Sequence, residues 1–336
     1  MLLRNTRRRL KSHEHRCHEV AQAGPDSFYE GIYRELLEGP RAHLNGLRRL
    51  RQRSSRNLRH SLSELRDVAS LDPVNPDFVP ALASLLQEAR PGEARDLEAH
   101  CAGKDVVLHL CCKSRLQKAW ASCCSFSESR SDVSHIIVVG EMRKGSPRRL
   151  DFRWDGAVLT LPVSDAYESL ADKAFYAYLV LHLLTSFRLV IKVDDDLHLA
   201  DLERFNSFCE SLHGSDASYV GHVLNARHPQ MPQGWHQGKC QRRALHQMGY
   251  QIPFPACYAD GGFGYVLGPA GVEACARMFL SMRAFFEMNS VQLEDVFVGH
   301  AAQSAGLLLK DCLDERPFSP TIPFEQAALP GLKRVR

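Results

Sequence analysis

The chain has 336 residues, of which 44% are hydrophobic and 24% charged, and its net charge is +3. This is the make-up of a globular protein of one large or two ordinary domains. No run approaches the ~20 apolar residues of a membrane-spanning helix, and a charge this small does not by itself argue for nucleic acid.

The charge is uneven along the chain. Residues 1–66 hold 15 Lys and Arg against 7 Asp and Glu, an excess of eight, and Arg41 to Arg59 contains no acid. Residues 1–100 read as a basic helical region. Leu44, Leu47, Leu50, Leu58, Leu62 and Leu65 stand near helical spacing among arginines, and Asp72-Pro73 and Asn75-Pro76 punctuate. A further short helix, Phe78 to Ala89, is closed by Pro91-Gly92. The arginines could meet an anionic membrane surface or nucleic acid; a solvated helix face is the plainer reading, and no nucleic-acid partner is expected. No 7–15 residue apolar stretch follows the first charges, so no signal peptide is read.

From Val106 the texture changes. Val106 to Leu110 is a β-branched run, followed by Lys113-Ser114-Arg115 and a helical stretch through Trp120. Further strands are read at Ile136–Val139 and Val158–Leu161. Asp165 with Glu168 three residues on has the spacing of a capping box. It opens a helix whose apolar face is Tyr167, Leu170, Ala174, Tyr178 and Leu181. Val190 to Val193 is then a strand that runs straight into Asp194-Asp195-Asp196. The alternation of strands and helices argues for an α/β fold with a mostly parallel sheet, in which ligands bind at the carboxyl ends of the strands. Three adjacent acids cannot be buried unpaired, and hard carboxylate oxygens suit Mg²⁺, Mn²⁺ or Ca²⁺. An isolated Asp-Asp-Asp is more often a solvated turn, so its companions decide.

Asp201 caps the next helix, with Leu202, Phe205, Phe208 and Leu212 on its apolar face, and a strand covers Ser218 to Val223. Arg227 to Pro255 lacks periodicity and reads as a functional loop holding Trp235 and His236. Gly261-Gly262-Phe263-Gly264 precedes a strand at Tyr265. It is not a dinucleotide fingerprint, because no strand is read immediately before it. Pro269 opens a helix through Phe286. Glu294-Asp295 stands ahead of Val296-Phe297-Val298, either as a pair on a helix dipole or as a second carboxylate wall across a cleft. Leu307–Leu309 is read as the last strand, and residues 315–336 as a loose tail behind a main domain of 101–314.

Four stretches taken in order carry a resemblance: Asp165-x-Tyr167-x-x-Leu170-x-x-Lys173, Lys192-Val193-Asp194-Asp195-Asp196, Gly261-Gly262-Phe263-Gly264-Tyr265-Val266-Leu267, and Glu294-Asp295-Val296-Phe297-Val298-Gly299. Together, over roughly Val106 to Leu309, they resemble the β-1,3-galactosyltransferase and Fringe-type glycosyltransferase family. The resemblance implies a GT-A type fold, a Rossmann-like sheet with flanking helices. It also implies a UDP-sugar donor, a glycan or polysaccharide acceptor, Mn²⁺ (or Mg²⁺) and inversion at the anomeric carbon. It places Asp165, Lys173, Asp194, Asp195, Gly261 and Gly262 on the donor side and Trp235, His236 and Glu294 against sugar or acceptor. Asp196, with Asp194, would bind the metal, and Asp295 would be the general base. The pattern departs from the family where many members supply a histidine ligand beyond the EDV stretch, since no histidine follows His300. A catalytically impaired member that binds sugar or nucleotide sugar is the alternative.

The eleven cysteines include no Cys-x-x-Cys and no tight Cys/His cluster of zinc-finger spacing. They read as reduced thiols of a cytoplasmic protein, peripheral to a membrane through its basic region. The secretory pathway, home to many similar enzymes, would instead pair them.

Overall fold

The computed structural model describes residues 78–126, 130–141, 151–199, 201–213, 218–225, 239–241, 255–281, 293–312 and 318–320. The basic region before residue 78, Trp235, His236 and residues 321–336 lie outside them.

Helix α1 (Phe78–Ala89) begins and ends where the sequence places it. Pro91 does more than close it. It opens α2 (Pro91–Cys101) from its first turn, where a missing N–H costs no hydrogen bond. Strand β1 (Asp105–Leu110) follows, then a 3-10 turn over Lys113–Arg115 and α3 (Leu116–Ser125). Next come β2 (Val133–Gly140), β3 (Arg153–Trp154) and β4 (Val158–Leu161). A 3-10 turn at Tyr167–Ser169 leads into α4 (Leu170–Leu184), buried almost all round. Strand β5 (Leu189–Asp194) carries the first acid at its end, and β6 (Leu197–Leu199) follows the turn. Then come α5 (Leu202–His213), β7 (Tyr219–Gly221), β8 (Val223–Asn225), β9 (Cys257–Ala259), β10 (Tyr265–Leu267), α6 (Pro269–Ser281), α7 (Glu294–Ser304), β11 (Leu309–Asp311) and β12 (Phe318–Pro320).

Eight strands form one sheet in the order β11-β7-β10-β5-β1-β2-β4-β3. The run β5-β1-β2-β4 is parallel throughout. Strand β10 is inserted antiparallel between β5 and β7, and β3 lies antiparallel on the far edge. This is a mostly parallel α/β sheet with helices on both faces, as the alternation of elements predicts.

The two faces follow from the period-two alternation of strand side chains. Val106, Leu108, Leu110, Ile136, Val138 and Val190 share a core with α1, α2, α4, α6 and α7. Val107, Ile191, Val193, Val220 and Val266 point the other way, onto Phe205, Phe208, Cys209 and Leu212 of α5. Ile137 and Val139 meet Ala119 and Cys123 of α3 on that same side. Burial on both faces is why β1, β2 and β5 read as continuous apolar runs rather than alternating ones.

Four expectations change. The Asp165–Glu168 capping box does not form. Ala166 stands at the N-cap of the 3-10 turn without a side-chain cap, and Glu168 turns inward to accept a hydrogen bond from the Gln241 N–H at 3.0 Å. A strand, β9, does precede the glycine stretch, but the glycines lead into another strand instead of a helix, so the stretch still lacks the strand–turn–helix frame that cradles a dinucleotide. The strand read at Leu307–Leu309 is Leu309–Asp311, on the open edge of the sheet, which leaves Leu308 88% exposed. Phe318–Pro320, inside the stretch read as loose tail, pairs antiparallel with β6 directly behind the acids.

Candidate active site

Asp194 ends β5 in register with Leu110 at the end of the parallel β1. Both chains therefore leave the sheet at its carboxyl edge, where crevices form in such sheets. Asp195 and Asp196 make the turn into β6. Arg115, from the turn after β1, reaches across and pairs with Asp195 Oδ1 at 2.8 Å and Asp196 Oδ2 at 3.1 Å. The Asp195 side chain is 4% exposed and that of Asp196 42%. Burial pushes the Asp195 carboxyl up to about 7, against the pull of Arg115 and with the neighbouring acids adding to the rise.

Lys192, two residues before Asp194, is fully buried. Its ammonium lies 2.8 Å from Asp194 Oδ1, 2.8 Å from Glu294 Oε1 and donates to the Gly261 carbonyl at 3.0 Å. One side chain thus ties together the acid turn, the glycine stretch and α7. Despite the desolvation that opposes it, the two carboxylates hold Lys192 charged, well above the usual lysine range. Glu294 also accepts from the Tyr265 hydroxyl at 3.1 Å, and Tyr265 shares a 2.6 Å hydrogen bond with Tyr178 of α4.

Gly261 joins the same centre from its other end. Its N–H donates to Asp295 Oδ2 at 3.1 Å, while Oδ1 accepts from the Val296 N–H at 2.8 Å. A methyl group on Gly261 would stand 3.1 Å from both Asp295 Cβ and Glu294 Oε1, so the close approach of turn and helix requires glycine. Asp260 caps that turn by accepting from Gly262 N–H at 2.9 Å, and Gly264 adopts φ +76°, a region glycine enters freely. Asp295 is 7% exposed. Burial, reinforced by the charge of Glu294, pushes its carboxyl up to about 8.

On the other side of β1, Asp165 holds the loop. Its carboxylate accepts from the N–H groups of Lys113 (2.6 Å) and Gly140 (2.8 Å). Lys173 donates to Asp165 at 2.9 Å and to the Cys111 carbonyl at 2.6 Å. The Lys239 ammonium sits 5.5 Å over the Tyr167 ring.

The residues singled out from sequence fall into three groups. Asp194, Gly261, Gly262 and Asp295 meet at the carboxyl edge of the sheet through Lys192 and the glycine turn, with Asp195 and Asp196 on the adjoining turn. Lys173, Glu294 and Asp195 face inward, 0%, 4% and 3% exposed as whole residues, so they support the edge rather than line it, and Asp165 clamps the loop beside it. Trp235 and His236 lie outside the described residues. His300 is 2% exposed inside α7, a packing residue. Arg115, Lys192 and Tyr265 received no role from sequence. Arg115 could have been found as the charged residue just beyond the carboxyl end of a parallel strand, and Lys192 as the lone charge inside an apolar run.

The triplet offers hard oxygen donors for Mn²⁺ or Mg²⁺. Among the described residues it does not gather three of them at one point; the group of three ligating side chains that does gather is His109, Cys123 and His135. Asp196 is the open carboxylate. One or two carboxylates completed by phosphate oxygens is an ordinary set for Mg²⁺, so the residues fit a cation shared with a phosphorylated ligand.

No protein-family model and no curated protein matches the chain. Among solved structures it is similar to mouse xyloside xylosyltransferase 1 in its apo form, at 10% identity and a TM-score of 0.31, over 62% of this chain and 84% of that one. A likeness at this level carries no argument about activity. No helix among the described residues is long and apolar enough to cross a membrane.

Proposed function

We propose that the protein is an inverting glycosyltransferase of GT-A type that moves a sugar from a UDP-sugar to a hydroxyl of a glycan or polysaccharide. The observation that carries this reading is the meeting of three separate sequence stretches at Lys192. Asp194 comes from β5, Gly261 from the turn before β10, and Glu294, beside Asp295, from α7.

Direct displacement needs a base on the acceptor side and charge neutralisation on the leaving-group side; it does not need two carboxylates flanking the scissile bond, as hydrolysis does. Asp295 is the base of this proposal. As the acceptor oxygen attacks the anomeric carbon, its proton passes to the Asp295 carboxylate, and the sugar–phosphate bond breaks with its electron pair on the nucleotide. Gly261 and Val296 hold Asp295 by two backbone N–H groups and leave further lone pairs on each oxygen. Asp196, with Asp194, would hold Mn²⁺ or Mg²⁺, which when bound neutralises the diphosphate. Asp165, Lys173 and Lys113 fix the loop after β1 on the donor side, and Arg115 keeps Asp195 and Asp196 paired.

The test is transfer and donor hydrolysis across a panel of UDP- and GDP-sugars with Mn²⁺. Asp295→Asn should lower kcat by roughly 10²–10⁴-fold, the usual worth of a positioned base, while donor binding, read by thermal shift, persists. Asp196→Ala should weaken metal-dependent donor binding. Because the Asp295 carboxyl is raised to about 8, kcat/KM should climb with pH through that value. Unchanged turnover in both variants would overturn the assignment. Donor binding without turnover in the wild-type chain would favour the sugar-nucleotide-binding alternative.

A further inference from the structure

Behind the acid turn, on the α3 side of the sheet, lies a group that the glycosyl-transfer reading does not use. His109 of β1, His135 of β2 and Cys123 of α3 each bring one ligating atom within 4.8 Å of the other two. The two strands are parallel neighbours, and α3 packs over them through Cys123, Cys111, Ile137 and Val139. His109 is fully buried and Cys123 is 8% exposed.

The hydrogen bonds fix which nitrogen is available. The Ser122 hydroxyl donates its single proton to the Leu197 carbonyl at 2.5 Å. It can therefore only accept from His109 Nδ1, 3.1 Å away. His109 is thus protonated at Nδ1, and Nε2 carries a lone pair. That lone pair accepts from His135 Nδ1–H at 3.3 Å, so metal binding at Nδ1 moves the His135 proton to its Nε2. Two imidazole nitrogens bound tetrahedrally at ~2.0–2.1 Å stand roughly 3.3 Å apart. The Nδ1–H bond to Ser122 is the kind of outer contact that orients a ligating histidine.

We infer that His109, Cys123 and His135 form a binding site for a zinc-class divalent metal, with water at the fourth position on the side of His135, the partly buried member of the three. One thiolate and two imidazoles suit Zn²⁺ and its substitute Co²⁺, not the oxygen-seeking Mn²⁺ or Mg²⁺ of the acid turn. An N–S pair in such a site needs roughly 3.6 Å, so from separations of at most 4.8 Å closure requires movements of about 1 Å. On binding, the Cys123 thiol loses its proton to solvent and the sulfur electron pair goes to the metal, one proton released per ion. The metal would tie β1, β2 and α3 together. Through Ser122 and the Leu197 carbonyl it would also brace the turn that presents Asp194 to Asp196. The inference stands independently of the transferase proposal.

The test uses the full chain, stripped of metal and reduced, then titrated with Co²⁺. The expected result is one equivalent bound, with a thiolate-to-metal charge-transfer band and the intense visible bands of tetrahedral cobalt. Zn²⁺ should displace the cobalt, and Zn²⁺ alone should raise Tm. The charge-transfer band should vanish in Cys123→Ser and survive in Asp196→Ala. Absence of the band in the wild-type chain, or its persistence in Cys123→Ser, would overturn the site. Should Cys123→Ser not fold, alkylation of Cys123 in the wild-type chain decides: slowing by Zn²⁺ supports the site, and a rate indifferent to Zn²⁺ refutes it.

Discussion

A lysine with no exposed surface is costly unless its three ammonium protons are all placed, and Lys192 places them on Asp194, Glu294 and the Gly261 carbonyl. Its ring contact with Tyr265, 5.4 Å to the centroid, adds a weaker attraction. The arrangement does not gain much over an apolar one of equal shape, but removing one member strands the others. Lys192→Met keeps most of the stem and leaves two carboxylates facing each other without a cation. Such breaks in buried ion pairs cost about 3–5 kcal/mol, which for a domain of this size lowers Tm by on the order of 10 °C. Adding Glu294→Gln to Lys192→Met should restore part of the loss, because it removes one of the stranded charges. Thermal unfolding of the two single variants and the double variant checks both statements, and a double variant no more stable than Lys192→Met would mean that Glu294 is not the stranded partner.

At the scale of elements, the glycine turn and α7 act as one unit because their backbones touch. Gly261→Ala would drive a methyl against Asp295 Cβ and Glu294 Oε1, both 3.1 Å away, and these belong to a helix end held by packing. Gly299 fixes the other side of α7, where an added methyl would stand 2.6 Å from Tyr258 Cβ on β9. With α7 pinned there, the strain of Gly261→Ala falls on the two acids. A displacement of an ångström or less at a reacting group can cost 10²-fold, so Gly261→Ala should lower kcat by roughly that factor while Tm changes little; steady-state kinetics beside thermal unfolding measures both. The sequence made these elements legible to different degrees. Val106–Leu110, Val158–Leu161 and Val190–Val193 were readable because burial on both faces concentrates β-branched residues. The helix at Phe78–Ala89 was readable by its period and the proline after it. Asp165–Glu168 misled because a helix cap and a loop clamp use the same residue types, and only the positions of Lys113, Gly140 and Lys173 decide between them. Leu307–Leu309 misled because an edge strand needs no apolar run. In the site, the acids, glycines and Asp295 stood out as local patterns. Arg115 and Lys192 stand out locally as charges beside or inside apolar runs, but their roles come from partners 80 and 102 residues away, Asp195 and Glu294, whose identity no local pattern announces.

For the whole molecule, acids at the two ends of the sheet pull stability in opposite directions with pH. At the amino end, Asp105 is fully buried and surrounded by Arg130, Arg188 and His213, and the same two arginines bind Asp132. Burial raises the Asp132 carboxyl, but Arg188 and Arg130 outweigh it and hold the group down at about 2, against an ordinary 3.8. A folded-state value below the unfolded one means stability that is present above pH ~4 and lost as pH falls toward 2. At the carboxyl end the sign reverses. Asp295, raised to about 8, keeps its proton in the folded chain across the interval in which the unfolded chain has lost it. Its contribution to stability is therefore greatest near pH 4 and declines as pH rises to about 8, beyond which it is constant. Buried histidines, His109 and His135 among them, work against Asp295 below about pH 6.5, because burial lowers their folded-state values and so adds stability as pH rises; each acid is therefore read from its variant against the wild-type chain. The measurement is a denaturant midpoint at intervals from pH 2.5 to 9 for the wild-type chain and two variants. Asp132→Asn should flatten the limb below pH 4 and leave the upper limb in place. Asp295→Asn should do the converse, removing the decline that the Asp295 carboxyl imposes between pH 4 and 8. If the midpoint of Asp295→Asn instead runs parallel to that of the wild-type chain from pH 4 to 8, the Asp295 carboxyl is ionised in the folded chain at neutral pH. The base would then already be charged before substrate binds, and the climb of kcat/KM through pH 8 should be absent as well.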